Sequence, residues 1–277
     1  MRWADLDLLG HINNVVYVDY LQEARVDMFR VNAPDSRADD LAEGVVVVRH
    51  EVTYVSPLTF RFRPVSIECW VTEIRAASFT MAYEIVDGSG PDRIVHLRAT
   101  TVLTPYVFGS ERPRRITPEE REVLQRFLEP AEPVRPGRPQ PTTHEGASHY
   151  AVHVRFSDVD VYGHVNNVKY FEFFQESRIS LIAELTADLP EGREARMVVA
   201  QTDVDYKIPI LFRPEPYDCW SWVIRLGTTS MTIESEITDG DTVLSRAKVV
   251  VVWFDPGAQR PVAPSPALRA VLERALL

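Results

Sequence analysis

An α+β fold written twice, each copy a long central helix wrapped by a curved antiparallel sheet, is predicted by three observations in this 277-residue chain. Residues 2–30 and 155–183 share 12 identities in 29 positions at a constant offset of 153. Each block opens a helical apolar period and is followed by four strand-like runs. A proline-rich stretch separates the two copies.

The elements follow in order. Asn13-Asn14 precedes Tyr17, Leu21, Ala24 and Met28, and Asn166-Asn167 precedes Tyr170, Phe174, Ser177 and Leu181. Asparagine ahead of such a period is a preferred helix cap, and a helix apolar around much of its circumference needs a wrapping. Runs 45–54, 65–74, 79–86 and 93–103, rich in β-branched and aromatic residues, supply it, with Asp87-Gly88 as a hairpin turn. Later segments repeat as well: "RPVSIECW" from Arg63 answers "RPEPYDCW" from Arg213, and "SFTM" from Ser78 answers "SMTI" from Ser230. Short helices are expected at 117–128, with a Thr cap and proline in the first turn, and at 265–277. The expected domains are 1–128 and 149–277, joined by a linker over 129–148 that holds Pro130, Pro133, Pro136, Pro139 and Pro141. A strand at 149–154 leads into Arg155, and nothing precedes Arg2 to match it, so the first copy's opening strand is expected to be short or missing.

Composition narrows the function. The 45% apolar and 25% charged content is that of a soluble globular protein. A net charge of −10 works against nucleic acid and anionic membrane partners. Cys69 and Cys219 stand in no metal-ligand spacing, so no metal site or disulfide framework is expected, and both read as inert core residues. No apolar run reaches the length of a membrane span and no signal segment opens the chain, so a cytoplasmic location is expected.

The repeated block is where chemistry can reside. Gly10 and Gly163 permit a tight turn, so the chain can pass from an Asp-x-Asp stretch directly into a helix start. The unsatisfied first-turn N–H groups there suit an oxygen that becomes negative in a tetrahedral transition state. A nearby carboxylate can deprotonate water or attack a carbonyl, so acyl transfer to water is within reach. Plainer roles remain open. Asp5 and Asp158 read as turn-fixing residues, Asp7 and Asp160 as caps or bases, and His11 and His164 as backbone-bonded loop residues or ligand-orienting groups. Glu23, Arg25, Glu176 and Arg178 read as solvated or structural charges on the helix.

The stretches "RWADLDLLGHINNVVYVDYLQEAR" and "RFSDVDVYGHVNNVKYFEFFQESR" strongly resemble the opening motif of hotdog-fold acyl-CoA thioesterases of the 4-hydroxybenzoyl-CoA thioesterase group. The second is also similar to the "HVNNVKY" block of plant acyl-ACP thioesterases. The resemblance implies a tandem double hotdog with its two sheets joined as a pseudo-dimer, complete in a monomer or assembled as a homo-oligomer, without a cofactor. It places the catalytic aspartate at Asp7 and Asp160, the carbonyl-polarising backbone N–H at Asn14 and Asn167, and a further role at His164 and His11. The plant enzymes carry asparagine two positions before that histidine, where this chain has Leu9 and Tyr162, so acyl-CoA is favoured over acyl-ACP as substrate. Tyr170, Phe174, Tyr17 and Leu21 are expected to wall the acyl chain, and Arg61, Arg63 and Arg213 are candidates for the carrier's phosphates. The incomplete start of the first copy ranks Asp160 ahead of Asp7. The rivals are a hotdog enoyl-thioester hydratase, whose Asp/His block neither copy shows, and a silent acyl-thioester-binding module.

Overall fold

The computed structural model describes residues 1–277 apart from 33–40, 42–43, 132–143, 190–196 and 256. The chain divides into two compact units, Met1–Arg138 and Pro139–Leu277. Most of the predicted linker lies on 132–143, outside the described residues.

In the first unit a 3-10 turn, Trp3–Asp5, leads through the repeated motif into α1 (Val16–Asn32). Four antiparallel strands follow, β1 (Val45–Tyr54), β2 (Ser66–Ile74), β3 (Phe79–Asp87) and β4 (Ile94–Val107), in the spatial order β2-β3-β4-β1. β4 outruns its predicted end because Thr104 and Pro105 still face Val46 and Val45; Pro105 is tolerated at this last ladder position, where no donor is needed. A two-residue β5 (Arg112–Pro113) pairs back on β4 after Glu111, which adopts a left-handed φ of 51°. Helix α2 (Pro118–Gln125) is shorter than predicted. Beyond it the chain extends beside β2, with Val71 N–H donating to the Phe127 carbonyl (2.9 Å) and Glu129 N–H to the Val71 carbonyl (2.8 Å).

The second unit repeats this plan. β6 (Ser148–Val152) precedes the motif and α3 (Asn167–Leu185) follows it. Then come β7 (Met197–Tyr206), β8 (Tyr217–Leu226), β9 (Ser230–Asp239), β10 (Thr242–Asp255), β11 (Arg260–Pro261) and α4 (Pro266–Arg274), with the strand order β7-β10-β9-β8-β6. Matching bulges bend the long strands. Pairing skips Val48 in β1 and Ala200 in β7, and such an extra residue raises local twist.

That curvature lets each sheet close over its helix. α1 buries Tyr17, Val18, Leu21, Arg25, Met28 and Phe29, and α3 buries a longer set that includes Tyr170, Phe171, Phe174 and Leu181. Leu181 joins Val223, Ile233, Val249, Trp253 and Leu272 in one apolar cluster. The two helical arginines are not solvated. Arg25 and Arg178 are buried, whereas Glu23 and Glu176 are exposed, and the Arg25 charge opposes the burial that raises the phenol of the fully buried Tyr83. No helix among the described residues is long and apolar enough to cross a membrane.

Candidate active site

The motif builds the same small object in both units. Residues 6 and 12, and 159 and 165, form isolated antiparallel bridges around a turn closed by glycine with φ of 76° at Gly10 and 84° at Gly163. These angles lie in the left-handed region that an L side chain resists. Inside the turn the aspartate caps its own backbone. Asp160 Oδ1 accepts from the N–H groups of Tyr162 (2.9 Å) and His164 (3.2 Å), and Asp7 Oδ1 from those of Leu9 (2.8 Å) and His11 (3.2 Å). The loop closes when Asp160 and Asp7 donate their N–H groups to the carbonyls of His164 and His11, each at 2.8 Å. Both backbone donors thus converge on one carboxylate oxygen, and among the described residues no hydrogen bond occupies Oδ2. Both carboxylates are partly buried.

Each turn delivers the chain into a helix start. Asn166 is the cap of α3, its Oδ1 accepting from Val168 N–H at 3.1 Å, and Asn13 Oδ1 accepts from Val15 N–H at 3.1 Å in the turn just ahead of α1. Asn167 is the first residue of α3, and helix geometry offers the first four N–H groups no acceptor within the helix. The positive end of the helix dipole lies at this point. Asn14 and Asn167 are held through their carbonyls, which accept from the hydroxyls of Tyr54 and Tyr206, each at 2.9 Å.

Tyr54 and Tyr206 were not among the residues singled out from sequence. Each ends a strand, β1 or β7, and they recur at an offset of 152, so continuing the repeat alignment through "TYVSP" and "DYKIP" finds them. Each also packs edge-on against a motif tyrosine, Tyr17–Tyr54 at 5.5 Å and Tyr170–Tyr206 at 4.9 Å between ring centres. Tyr17 and Tyr170 in turn accept the N–H of Leu58 (3.1 Å) and Ile210 (2.9 Å), tying a neighbouring loop to the helix. That loop lies against the motif turn, as His11 bridges Thr59 and His164 bridges Leu211. Burial, reinforced by the Asp7 charge and only partly offset by the Leu58 N–H, pushes the Tyr17 phenol up to about 12. Burial raises Tyr170 in the same way, with Tyr217 and the Asp160 charge adding to it.

The remaining predicted residues are distributed as follows. Leu21 and Phe174 are fully buried within their own units, next to Tyr17 and Tyr170 on the helix faces that meet the sheets. Asp5 and Asp158 are buried under the turn. Cys69 and Cys219 are free thiols, and burial raises both, Cys219 to about 12. The arginines proposed for phosphate contacts are committed internally. Arg61 and Arg63 pair with Asp87 at 2.5 and 3.2 Å, and Arg213 pairs with Asp239 at 2.9 Å while covering the Tyr217 ring at 3.7 Å. The strand register also revises the repeat alignment. Arg61, not Arg63, is the structural counterpart of Arg213, because the bulges at Thr72 in β2 and Ile224 in β8 lie at an offset of 152. Among the described residues no group of three or more His, Cys, Asp or Glu side chains is arranged to hold a metal ion.

Similarity to known proteins agrees with this construction. The profile of the "Thioesterase-like superfamily" matches residues 1–127 and 154–272, which is most of both units. A Bacillus subtilis (strain 168) protein, YsmA, is 32% identical over 105 residues, 36% of this chain and 68% of that protein. Solved structures match nearly end to end as well. The 12:0-ACP thioesterase of Umbellularia californica aligns with a TM-score of 0.71 at 16% identity, covering 94% of this chain and 91% of that one. An acyl-ACP thioesterase of Bacteroides thetaiotaomicron VPI-5482 aligns with a TM-score of 0.66 at 15% identity, covering 90% and 94%. With a duplicated helix-in-sheet unit, a duplicated Asp-Gly-His-Asn-Asn turn and a profile match across both copies, the chain belongs to the thioesterase-like superfamily, as a double hotdog and a thioester hydrolase.

Proposed function

We propose that the protein hydrolyses acyl-CoA thioesters to a free carboxylic acid and CoA, with Asp160 and Asp7 as the reacting carboxylates. One observation carries this reading. In each unit the motif aspartate has Oδ1 pinned by two backbone N–H groups, which leaves Oδ2 to act, shortly ahead of a helix start that Asn166 caps in the second unit. Pinning one oxygen fixes the orientation of the other, and such preorganisation is what separates a reacting carboxylate from an ordinary surface one. Acting as a base, Oδ2 takes a proton from water as the water oxygen bonds the acyl carbon; the tetrahedral intermediate then collapses, the C–S bond breaks, and the departing thiolate takes up the proton. Acting as a nucleophile, Oδ2 itself bonds that carbon, the C–S bond breaks, and water then hydrolyses the anhydride. In either route the carbonyl oxygen gains negative charge, for which the backbone N–H groups of Asn167 and Asn14 at the helix start are the stabilising donors. His164 and His11 supply the backbone N–H and carbonyl that close the loop, which is their orienting role. Leu9 and Tyr162, standing where plant acyl-ACP enzymes carry asparagine, favour CoA as the carrier.

The test is thiol release from acyl-CoAs and acyl-ACPs of several chain lengths, by the wild type, Asp160→Asn, Asp7→Asn and the double variant. The expected result is release from acyl-CoA, reduced in each single variant and lost in the double one. Full activity in the double variant removes the aspartates from the mechanism. Saturable binding without release from any thioester favours a silent binding module instead.

A further inference from the structure

Asp5 and Asp158 occupy equivalent positions two residues ahead of the reacting aspartates, and both are almost fully buried, at 2% and 1% exposure. Their surroundings differ. Asp5 Oδ1 accepts from Arg2 Nε (2.9 Å), while Oδ2 accepts from Arg2 N–H (2.6 Å) and from the hydroxyl of Tyr20 on α1. At Asp158 both donors from Arg155, its N–H (2.8 Å) and Nε (3.2 Å), fall on Oδ2, and Oδ1 is buried without a hydrogen bond. The cause is one residue: the position equivalent to Tyr20 in the repeat is Phe173, which is buried and has nothing to donate.

This aspartate is part of the piece that holds the site. The carbonyls of Asp5 and Asp158 accept the N–H groups of Asn13 and Asn166, each at 2.8 Å; Asn166 caps α3, and Asn13 closes the turn that leads into α1. A hydroxyl reaching Asp5 from the second turn of α1 therefore fastens the Asp-x-Asp segment to the helix whose first N–H groups face the substrate carbonyl. In the second unit the comparable outer tie runs from Arg155 to Glu172 (3.2 Å), between partly exposed side chains that solvent screens. We infer that Tyr20 and Asp5 form a positioning clamp for Asp7 that the second unit lacks, so that the two sites are unequally rigid and the first is the better held.

This inverts the expected ranking of Asp160 ahead of Asp7, and it rests on the reading that Asp7 and Asp160 are the reacting groups. The protonation balance is consistent with the clamp. Burial alone would raise the Asp5 carboxyl, but the hydrogen bonds from Tyr20 and Arg2 hold it below its ordinary value, and burial together with Asp5 raises the Tyr20 phenol.

The experiment is amide hydrogen exchange on the full chain, comparing protection factors at Leu9 and His11 with those at Tyr162 and His164. Protection in the first unit should be higher by roughly threefold to tenfold, the net weight of one ordinary intramolecular hydrogen bond. Tyr20→Phe should erase the difference, and Phe173→Tyr should raise protection at Tyr162 and His164 by a similar factor. In the Asp160→Asn background Tyr20→Phe should lower kcat with KM unchanged; in the Asp7→Asn background Phe173→Tyr should raise kcat. Equal protection in the wild type, or no gain from Phe173→Tyr, overturns the clamp. Altered protection with unchanged kcat overturns its positioning role. Should Tyr20→Phe unfold the first unit, the gain expected of Phe173→Tyr still decides. Full turnover in the double aspartate variant would count against the functional reading alone, because the exchange comparison needs no activity.

Discussion

Replacing Gly163 by alanine separates backbone strain from crowding at the turn that carries Asp160. Gly163 has φ of 84°, and a Cβ built on it meets no atom within 4 Å, so the substitution costs only the left-handed backbone. For an L residue that is about 1–2 kcal/mol, reduced by the entropy alanine removes from the unfolded chain, for a net loss of about 1 kcal/mol. Asn, whose short side chain tolerates this region, should lose less than Ala. Gly10, with φ of 76° and equally open space, should behave alike. Gly88 is the internal control. Its φ of 73° is similar, but a Cβ there would lie 2.5 Å from the Asp92 carbonyl oxygen, so Gly88→Ala must cost clearly more. Urea denaturation followed by tryptophan fluorescence reads these losses, with Trp220, Trp222 and Trp253 reporting the second unit and Trp3 and Trp70 the first. A loss of about 3 kcal/mol or none at Gly163, Asn as costly as Ala, or Gly88→Ala no worse than Gly163→Ala would each refute the reasoning.

Two further predictions concern groups that hold the loops beside the motif. His96 is buried, and its Nε2 faces Arg61 Nη2 at 3.4 Å; a guanidinium can only donate, so the ring is neutral and Nε2 accepts. Desolvation, with the Arg61 charge adding to it, lowers its pKa from 6.5, so the unfolded chain binds the proton more readily. Stability from this group is therefore complete above pH 6.5 and is lost as the pH falls from there through the lower folded value; His96→Gln should flatten that slope in urea midpoints measured across the range. Tyr170→Phe leaves the N–H of the buried Ile210 without its acceptor and should cost about 1–3 kcal/mol, with faster amide exchange at Ile210 as the direct reading. Unchanged exchange there would mean that the phenol does not hold the loop.

The sequence by itself determined the repeat, the helix-then-strands order and the Asp-Gly-His-Asn-Asn turn, because these depend on interactions among near neighbours. Gly10 and Gly163 state the sign of φ, Asn166 caps the helix that begins beside it while Asn13 holds the turn ahead of α1, and alternating β-branched residues mark strands wherever they later pair. The assignment of Asp7 and Asp160 drew on family resemblance, since a carboxylate in a turn reads the same whether it reacts or only bonds its own backbone. The tertiary structure decided everything that depends on partners distant in the chain. It put Arg25 and Arg178 inside, beneath the sheets, which a helix face alone does not announce. It brought Tyr54 and Tyr206 to the helix starts from strands about 40 residues on, committed Arg61, Arg63 and Arg213 to hairpin aspartates, and made Arg61 the counterpart of Arg213, each 26 residues ahead of its hairpin aspartate. It also turned an unremarked Tyr20-to-Phe173 change into a difference between the two sites, because a hydroxyl matters only where folding brings a buried carboxylate within its reach.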